Sequence, residues 1–322
     1  MHHEMGFHAT GTLGHVGATV GSCKILGLKV PQIETALGIM GSLVSGLRSN
    51  VGSMTKPLHA GNAAHDGVLA ATLAQGAFTS ADNILESRYG FAEVFGGKSA
   101  SPDRMVADLG KPYLIESPGI TIKGNPCGTY GSVVVQGLQE MVKEYRFSTD
   151  SIESIELVLN PAVHEIMHYG YPRDTLEAKY SIPFIAAVTL TDGEATLNQF
   201  TDEKTQDPKV RKIISKIQIH HPPPQPASQD SGKPSGVDLS TTHIKIKVQK
   251  GETYFREVDS AKGYVNQPLT EKEILEKFRT FAGLVLPDSS INQTIDMVKS
   301  LEKMKDIGKL MNLIGITPSR RG

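Results

Sequence analysis

The chain has 322 residues, 39% of them hydrophobic and 21% charged, with a formal net charge of -1. That length suffices for two domains with cores of their own, and the even charge balance argues against a general nucleic-acid or membrane-surface binder. Two cysteines, Cys23 and Cys127, are too few for a disulfide framework, a CxxC zinc site or a four-iron cluster.

No apolar run reaches the length of a membrane span. The start, MHHEMGFHATGTLG, lacks the basic and apolar regions of a secretory signal, so the expected location is cytoplasmic. There is no HExxH and no GxxxxGK[ST]. The expectation is therefore chemistry from side chains, or from a cofactor that leaves no motif.

Residues 11–96 read as helical and rich in small side chains. GTLGHVGATVGSCKILGL places Gly14, Ala18 and Gly21 about one turn apart, a spacing that permits close helix contacts. Its glycines follow no strand, which disfavours a dinucleotide loop. PQIETALGIMGSLVSGLR starts with Pro31 in a first-turn position and repeats Ile33, Leu37, Met40, Leu43, Val44 and Leu47 on one helical face. In GSMTKPLHAGNAAHDG, Lys56 and Pro57 precede a helix expected to be capped by Asn62, with His59 and His65 flanking the cap.

Residues 101–132 read as loop, with Lys123 in the glycine-rich turn IKGNPCGTYGS, followed by a helix over about Val133–Tyr145. SIESIELVLNP reads as a strand, DGEATLNQFTDE as a turn region, and VRKIISKIQIHH and TTHIKIKVQKGETYFREV as half-exposed strands of period two. PPPQPASQDSGKPSGVDLS between them is a connection with no packing signal. Thr270 and Glu273 form a capping box ahead of Ile274, Phe278 and Phe281, and Ile291, Ile295, Val298 and Leu301 make a second amphipathic run. An αβ segment set between two helical segments predicts that the last helices pack back on the first domain, with the binding site in the cleft between the two bodies.

Four places carry residue types suited to catalysis. His8 stands beside Thr10 and Thr12 ahead of a helix; Lys56 precedes another; Lys123 sits in its turn; and His164 and His168 follow a strand. Unpaired N–H groups at a helix start and a nearby ammonium attract the same anion, so this pattern suits a small carboxylate ligand. Each also has a plain reading: a solvated lysine, a hydrogen-bonded histidine, and for Cys127 a buried idle thiol. His220 and His221 read as surface.

GFHATGTLGHVGA, GSMTKPLHAGNAAHDGVLAA and EAKYSIPFIAAV together resemble the MmgE/PrpD family, which includes 2-methylcitrate dehydratases, cis-aconitate decarboxylases and iminodisuccinate epimerases. GFAEVFGG at residues 90–97, the turn at Lys123 and NQPLTEKEILEKF extend the resemblance along nearly the whole chain. It implies an α+β protein: an all-helical domain, discontinuous over residues 1–118 and 263–322, and an inserted smaller α/β lid domain over 119–262. It also implies a homodimer, no metal or organic cofactor, and a small polycarboxylate substrate, with no nucleic acid or membrane partner.

By the same resemblance His8 matches a family histidine, Lys56 the lysine of TKPLH and Lys123 the lid lysine. His164 falls near a tyrosine of the decarboxylase branch, and Thr10, Thr55 and His59 would contact substrate. The activity implied is a lyase, such as a dehydratase, that removes a proton next to a carboxylate. The alternatives are an epimerase of the same family and an inactive remnant that binds ligand or dimerises. The remnant reading rests on two departures. A helical region with further site residues is expected ahead of MHHEMGFHATG, which suggests a truncated first domain. The lid turn carries Gly124-Asn125 after the lysine, and Gly131-Ser132 where a threonine–histidine pair is usual.

Overall fold

The computed structural model describes residues 2–97, 100–222, 241–249 and 251–315. Helices and one four-stranded sheet make it an α+β protein. The chain divides into a larger unit, Met1–Gly119 with Asn125–Asp259, and a smaller one, Ile120–Gly124 with Ser260–Gly322. Of the Pro/Ser/Gly connection, residues 223–240 lie outside the described residues.

The larger unit opens with α1 (Ala9–Ile25), α2 (Val30–Gly41) and α3 (Thr55–Gln75). Small side chains set how closely α1 and α3 approach. A Cβ added at Gly67 would lie 2.6 Å from Ala18, and one at Gly14 would be 3.4 Å from Ala63. Gly21, expected to join this contact, has nothing near its face. Contacts pair rising numbers on α1 with rising numbers on α3, His8 with His59 and His15 with Asp66. The two helices therefore run parallel, and their N-termini lie at the same end.

Cys23, Ala36, Met40, Ala70, Ala71 and Phe91 are buried together beneath them. Two expectations change here. The α2 stripe was expected to continue through Leu47, but the helix ends at Gly41; Leu43 and Val44 still pack on the core while Leu47 is exposed. α3 was expected to be capped at Asn62, but it begins seven residues earlier, at Thr55, because Pro57 needs no N–H partner in a first turn. Asn62 is an exposed mid-helix residue.

After the short helices α4 (Phe91–Gly96) and α5 (Pro102–Val106) comes the second half of this unit. It comprises α6 (Gly131–Tyr145), β1 (Ile152–Val158), α7 (Pro161–Ile166), α8 (Thr175–Ala178), α9 (Ile182–Asp192), α10 (Asp202–Gln206), α11 (Pro208–Ile214), β2 (Ile217–His220), β3 (Thr242–Val248) and β4 (Thr253–Val258). The sheet order is β2-β1-β3-β4. β1 and β2 are parallel, joined through α7–α11 as a parallel pair requires, and the other pairings are antiparallel.

Alternation sorts the two faces. Ile155, Leu157, Ile244 and Ile246 are fully buried, while Glu156 pairs with Lys245 at 3.0 Å and Glu153 with Lys247 at 3.1 Å on the wet face. α9 is buried from Ile182 to Leu190 and shows no amphipathic period, which is why its sequence gives no pattern-based helix signal. VRKIISKIQIHH, expected to be a strand, is a strand only from Ile217. Asp207 caps α11 by accepting from the Lys209 N–H at 2.8 Å, and Val210, Ile213 and Ile214 are buried at helical spacing.

The smaller unit holds α12 (Glu271–Ala282), α13 (Asp288–Lys299) and α14 (Gly308–Ile314). The capping box of Thr270 and Glu273 forms as expected. Its apolar cluster uses Leu275, Phe278 and Ala282 with Ile291 and Ile295. Val298 and Leu301, expected on the inner face, are exposed; Leu301 falls beyond the end of α13 at Lys299.

Candidate active site

His8 is the residue before α1, and three backbone features hold it there. Its N–H donates to the Gly46 carbonyl at 3.1 Å, Phe7 bridges Leu47, and Gly11 allows the loop to close over the first turn. A Cβ at Gly11 would stand 2.6 Å from the Ser45 carbonyl oxygen, so no larger residue fits without moving backbone.

Across the helix pair stands His59, buried in α3. The Nδ1 atoms of His8 and His59 are 2.9 Å apart, so one ring donates its N–H to the other's lone pair. Lys56 lies one turn before His59, three residues away on the same helical face. Its Nζ stands 5.6 Å from the centre of the Tyr180 ring.

These neighbours make both imidazoles reluctant to charge. Burial, then the Lys56 ammonium and the second ring, holds His8 down to about 4, and burial and Lys56 lower His59 as well. Both rings are therefore neutral at neutral pH, one a donor and one an acceptor. The parallel run of α1 and α3 brings two helix N-termini, the positive ends of their dipoles, to this end of the pair beside the Lys56 charge. Two neutral imidazoles, one ammonium and two helix starts form a corner that suits an anion and can accept a proton.

Thr10 and Thr55 are exposed in the first turns of α1 and α3. Thr12 is fully buried, its Oγ1 2.8 Å from His2 Nε2, while His2 Nδ1 reaches the Phe95 carbonyl at 2.8 Å. A second buried link ties the same helices two turns on, where His15 Nε2 lies 3.0 Å from Asp66 Oδ2.

His164 takes another setting. Its Nδ1 lies 3.1 Å from His221 Nε2, and His221 Nδ1 donates to the Leu159 carbonyl at 3.1 Å; His220 and His221 are both exposed, as the sequence suggested. Lys123 belongs to the smaller unit, where its carbonyl accepts from Lys277 Nζ at 2.6 Å. Cys127 is buried in the core that packs on α9.

Sequence reasoning missed Tyr180 and Tyr169. Both lie in or near the segment that carries the family resemblance, but an aromatic facing a distant lysine leaves no spacing signal. Among the described residues, no group of three histidine, cysteine or acidic side chains could hold a metal ion, and no helix is long and apolar enough to cross a membrane.

Residues 1–102 match the MmgE/PrpD N-terminal domain and residues 126–303 the MmgE/PrpD C-terminal domain. A match to both domains does not bear out the expected truncated first domain. Among curated proteins the chain is similar to cis-aconitate decarboxylase of Mus musculus, 27% identical over 314 residues, 96% of this chain and 62% of that protein. It is also similar to that of Homo sapiens, 27% identical over 313 residues, and of Aspergillus terreus, 28% identical over 328 residues. The chain thus spans 62–64% of the length of these three relatives and 96% of its own.

Proposed function

The chain belongs to the MmgE/PrpD family, and from that premise we propose that it is a lyase acting on a small polycarboxylate, with decarboxylation of cis-aconitate as the first reading. The observation that carries it is the neutral His8–His59 pair set beside Lys56. Cis-aconitate decarboxylases among the relatives favour decarboxylation over other lyase chemistry.

In such a reaction the bond from carbon to the departing carboxylate breaks and carbon dioxide leaves. The electron pair spreads through the carbon–carbon double bond toward a remaining carboxylate, and carbon then takes up one proton. Lys56 is proposed to hold the carboxylate on which charge builds, an interaction that strengthens in the transition state. Lys123, the lid lysine of the resemblance, is proposed as a further carboxylate-binding cation. The His8–His59 pair is proposed to deliver the proton, since a bound polyanion raises the affinity of both rings for it. Thr10 and Thr55 are proposed as hydroxyl contacts to substrate.

Dehydration is the second reading, favoured by the unprotonated state of His8 at neutral pH, which leaves a ring lone pair free to take a C–H proton next to a carboxylate once the bound polyanion raises its proton affinity. There the pair takes the C–H proton and passes it to the departing hydroxyl, which leaves as water while the carbon–carbon double bond forms. Incubation with cis-aconitate and, separately, 2-methylcitrate in D₂O, followed by NMR, tests both. One deuteron on carbon per carbon dioxide released supports decarboxylation, and an alkene from 2-methylcitrate supports dehydration. Deuterium exchange without net product would indicate epimerisation, and no reaction or exchange with either acid would overturn the lyase proposal.

A further inference from the structure

Three side chains of residues 165–180 reach the turn that leads into α3, all within the larger unit. Glu165 Oε2 lies 3.9 Å from Arg48 Nη2. The Tyr169 hydroxyl donates to the Val51 carbonyl at 2.9 Å, and its ring covers Gly52. Gly52 has φ +88°, and a Cβ there would stand 2.4 Å from the Tyr169 hydroxyl oxygen, so this turn accepts only glycine in two independent ways. Four residues on comes Lys56, with its ammonium over the Tyr180 ring.

The two tyrosines are held together by backbone. His168 bridges Ser181, and the Tyr169 N–H donates to the Tyr180 carbonyl at 3.4 Å. Tyr180 also packs on the core around α9. Its ring therefore has a fixed base and offers one face to a flexible side chain.

We propose that Tyr169 and Tyr180 are positioning residues for Lys56. Tyr169 latches the turn that fixes where α3 begins, and Tyr180 supplies the face on which the Lys56 ammonium rests. A lysine free in solvent must give up rotamer freedom to meet a carboxylate. An aromatic face attracts the ammonium without cancelling its charge, so part of that freedom is already removed while the cation remains open to an anion. An acidic partner would hold the lysine as firmly but would compete with the substrate. This inference rests on the reading of Lys56 as the carboxylate-binding cation, and its first test does not.

The test uses the full chain with its lysines converted to ¹³C-dimethyl-lysine, the Lys56 signal being assigned from its absence in Lys56→Arg. In wild type and Tyr180→Phe, the Lys56 methyl signals are displaced upfield by the ring current, and Tyr180→Leu removes the displacement. Tyr169→Phe, which keeps the ring and loses the latch, gives a smaller displacement and broader lines. Turnover of cis-aconitate then shows kcat/KM down about tenfold in Tyr180→Leu, from a lost cation–ring contact, with Tyr180→Phe within about twofold of wild type.

An unchanged Lys56 signal in Tyr180→Leu overturns the proposal whether or not the enzyme turns over. So does a lost displacement with unchanged kcat/KM. If the signals behave as stated but wild type neither binds nor converts any polycarboxylate, the resting place of Lys56 stands and its carboxylate role fails.

Discussion

The molecule carries two histidine pairs with nearly the same internal geometry. His8 and His59 have ring centres 5.1 Å apart and nitrogens 2.9 Å apart; His164 and His221 have centres 5.1 Å and nitrogens 3.1 Å apart. His8, His59 and His164 all have lowered proton affinity, with burial the first cause in each. What separates the pairs is the company. Lys56 presses on both rings of the first pair, whereas His164 is lowered further only by His221 and His168. The first pair sits at the N-termini of two parallel helices, the second on a short helix at the end of the sheet. Imidazole contact alone is thus a poor marker of a site; a fixed cation beside it is a better one.

Lys56→Met should turn the first pair into a copy of the second. Its expected effect is the largest, a loss of about 10²–10³ in kcat/KM, in the range for removing one electrostatic stabiliser. Steady-state kinetics with cis-aconitate checks it, and an effect under threefold would break the comparison. His8→Gln keeps the cation and removes the proposed proton carrier, for an expected loss of about 10²-fold, mainly in kcat.

Gly11→Ala attacks the first pair through its frame, since the new Cβ meets the Ser45 carbonyl oxygen at 2.6 Å. Chemical denaturation should show a stability loss of about 1–3 kcal/mol. His164→Gln, made at the pair without a lysine, should change kcat/KM by less than about threefold. A loss equal to that of His8→Gln would show that the second pair also serves the reaction.

Acid should also tell on the first pair. In the folded protein His8 takes its proton only near pH 4, against 6.5 for an ordinary histidine. Between those values the unfolded chain binds a proton that the folded chain refuses, so stability falls as pH drops through that window and levels below it. Melting temperatures across pH 4–7 should show this slope, and His8→Gln should reduce it, leaving the share of His59 and His164.

The α+β class, β1, the β3–β4 hairpin and the Thr270 cap were legible because period-two alternation and capping residues are local signals. α9 was not legible by pattern, because a helix buried on every side has no polar face to mark its period. The α11 sequence reads as strand because Val210, Ile213 and Ile214 run directly into one, and the helix start is marked only locally, by Asp207-Pro208. At the site, Lys56 and His8 were singled out by residue type beside a helix start. Their distances to His59 and Tyr180 could not be read, since those contacts join residues 51 and 124 positions apart.

The central claim is that Lys56 and the His8–His59 pair face one anion. The most direct measurement is the titration of the His8 ring by NMR, in wild type and Lys56→Met, with and without cis-aconitate. The account predicts a midpoint near the low value of about 4 in free wild type, a higher one in Lys56→Met, and a higher one again in wild type with ligand bound. A midpoint at the ordinary 6.5 that neither the variant nor the ligand moves would contradict it.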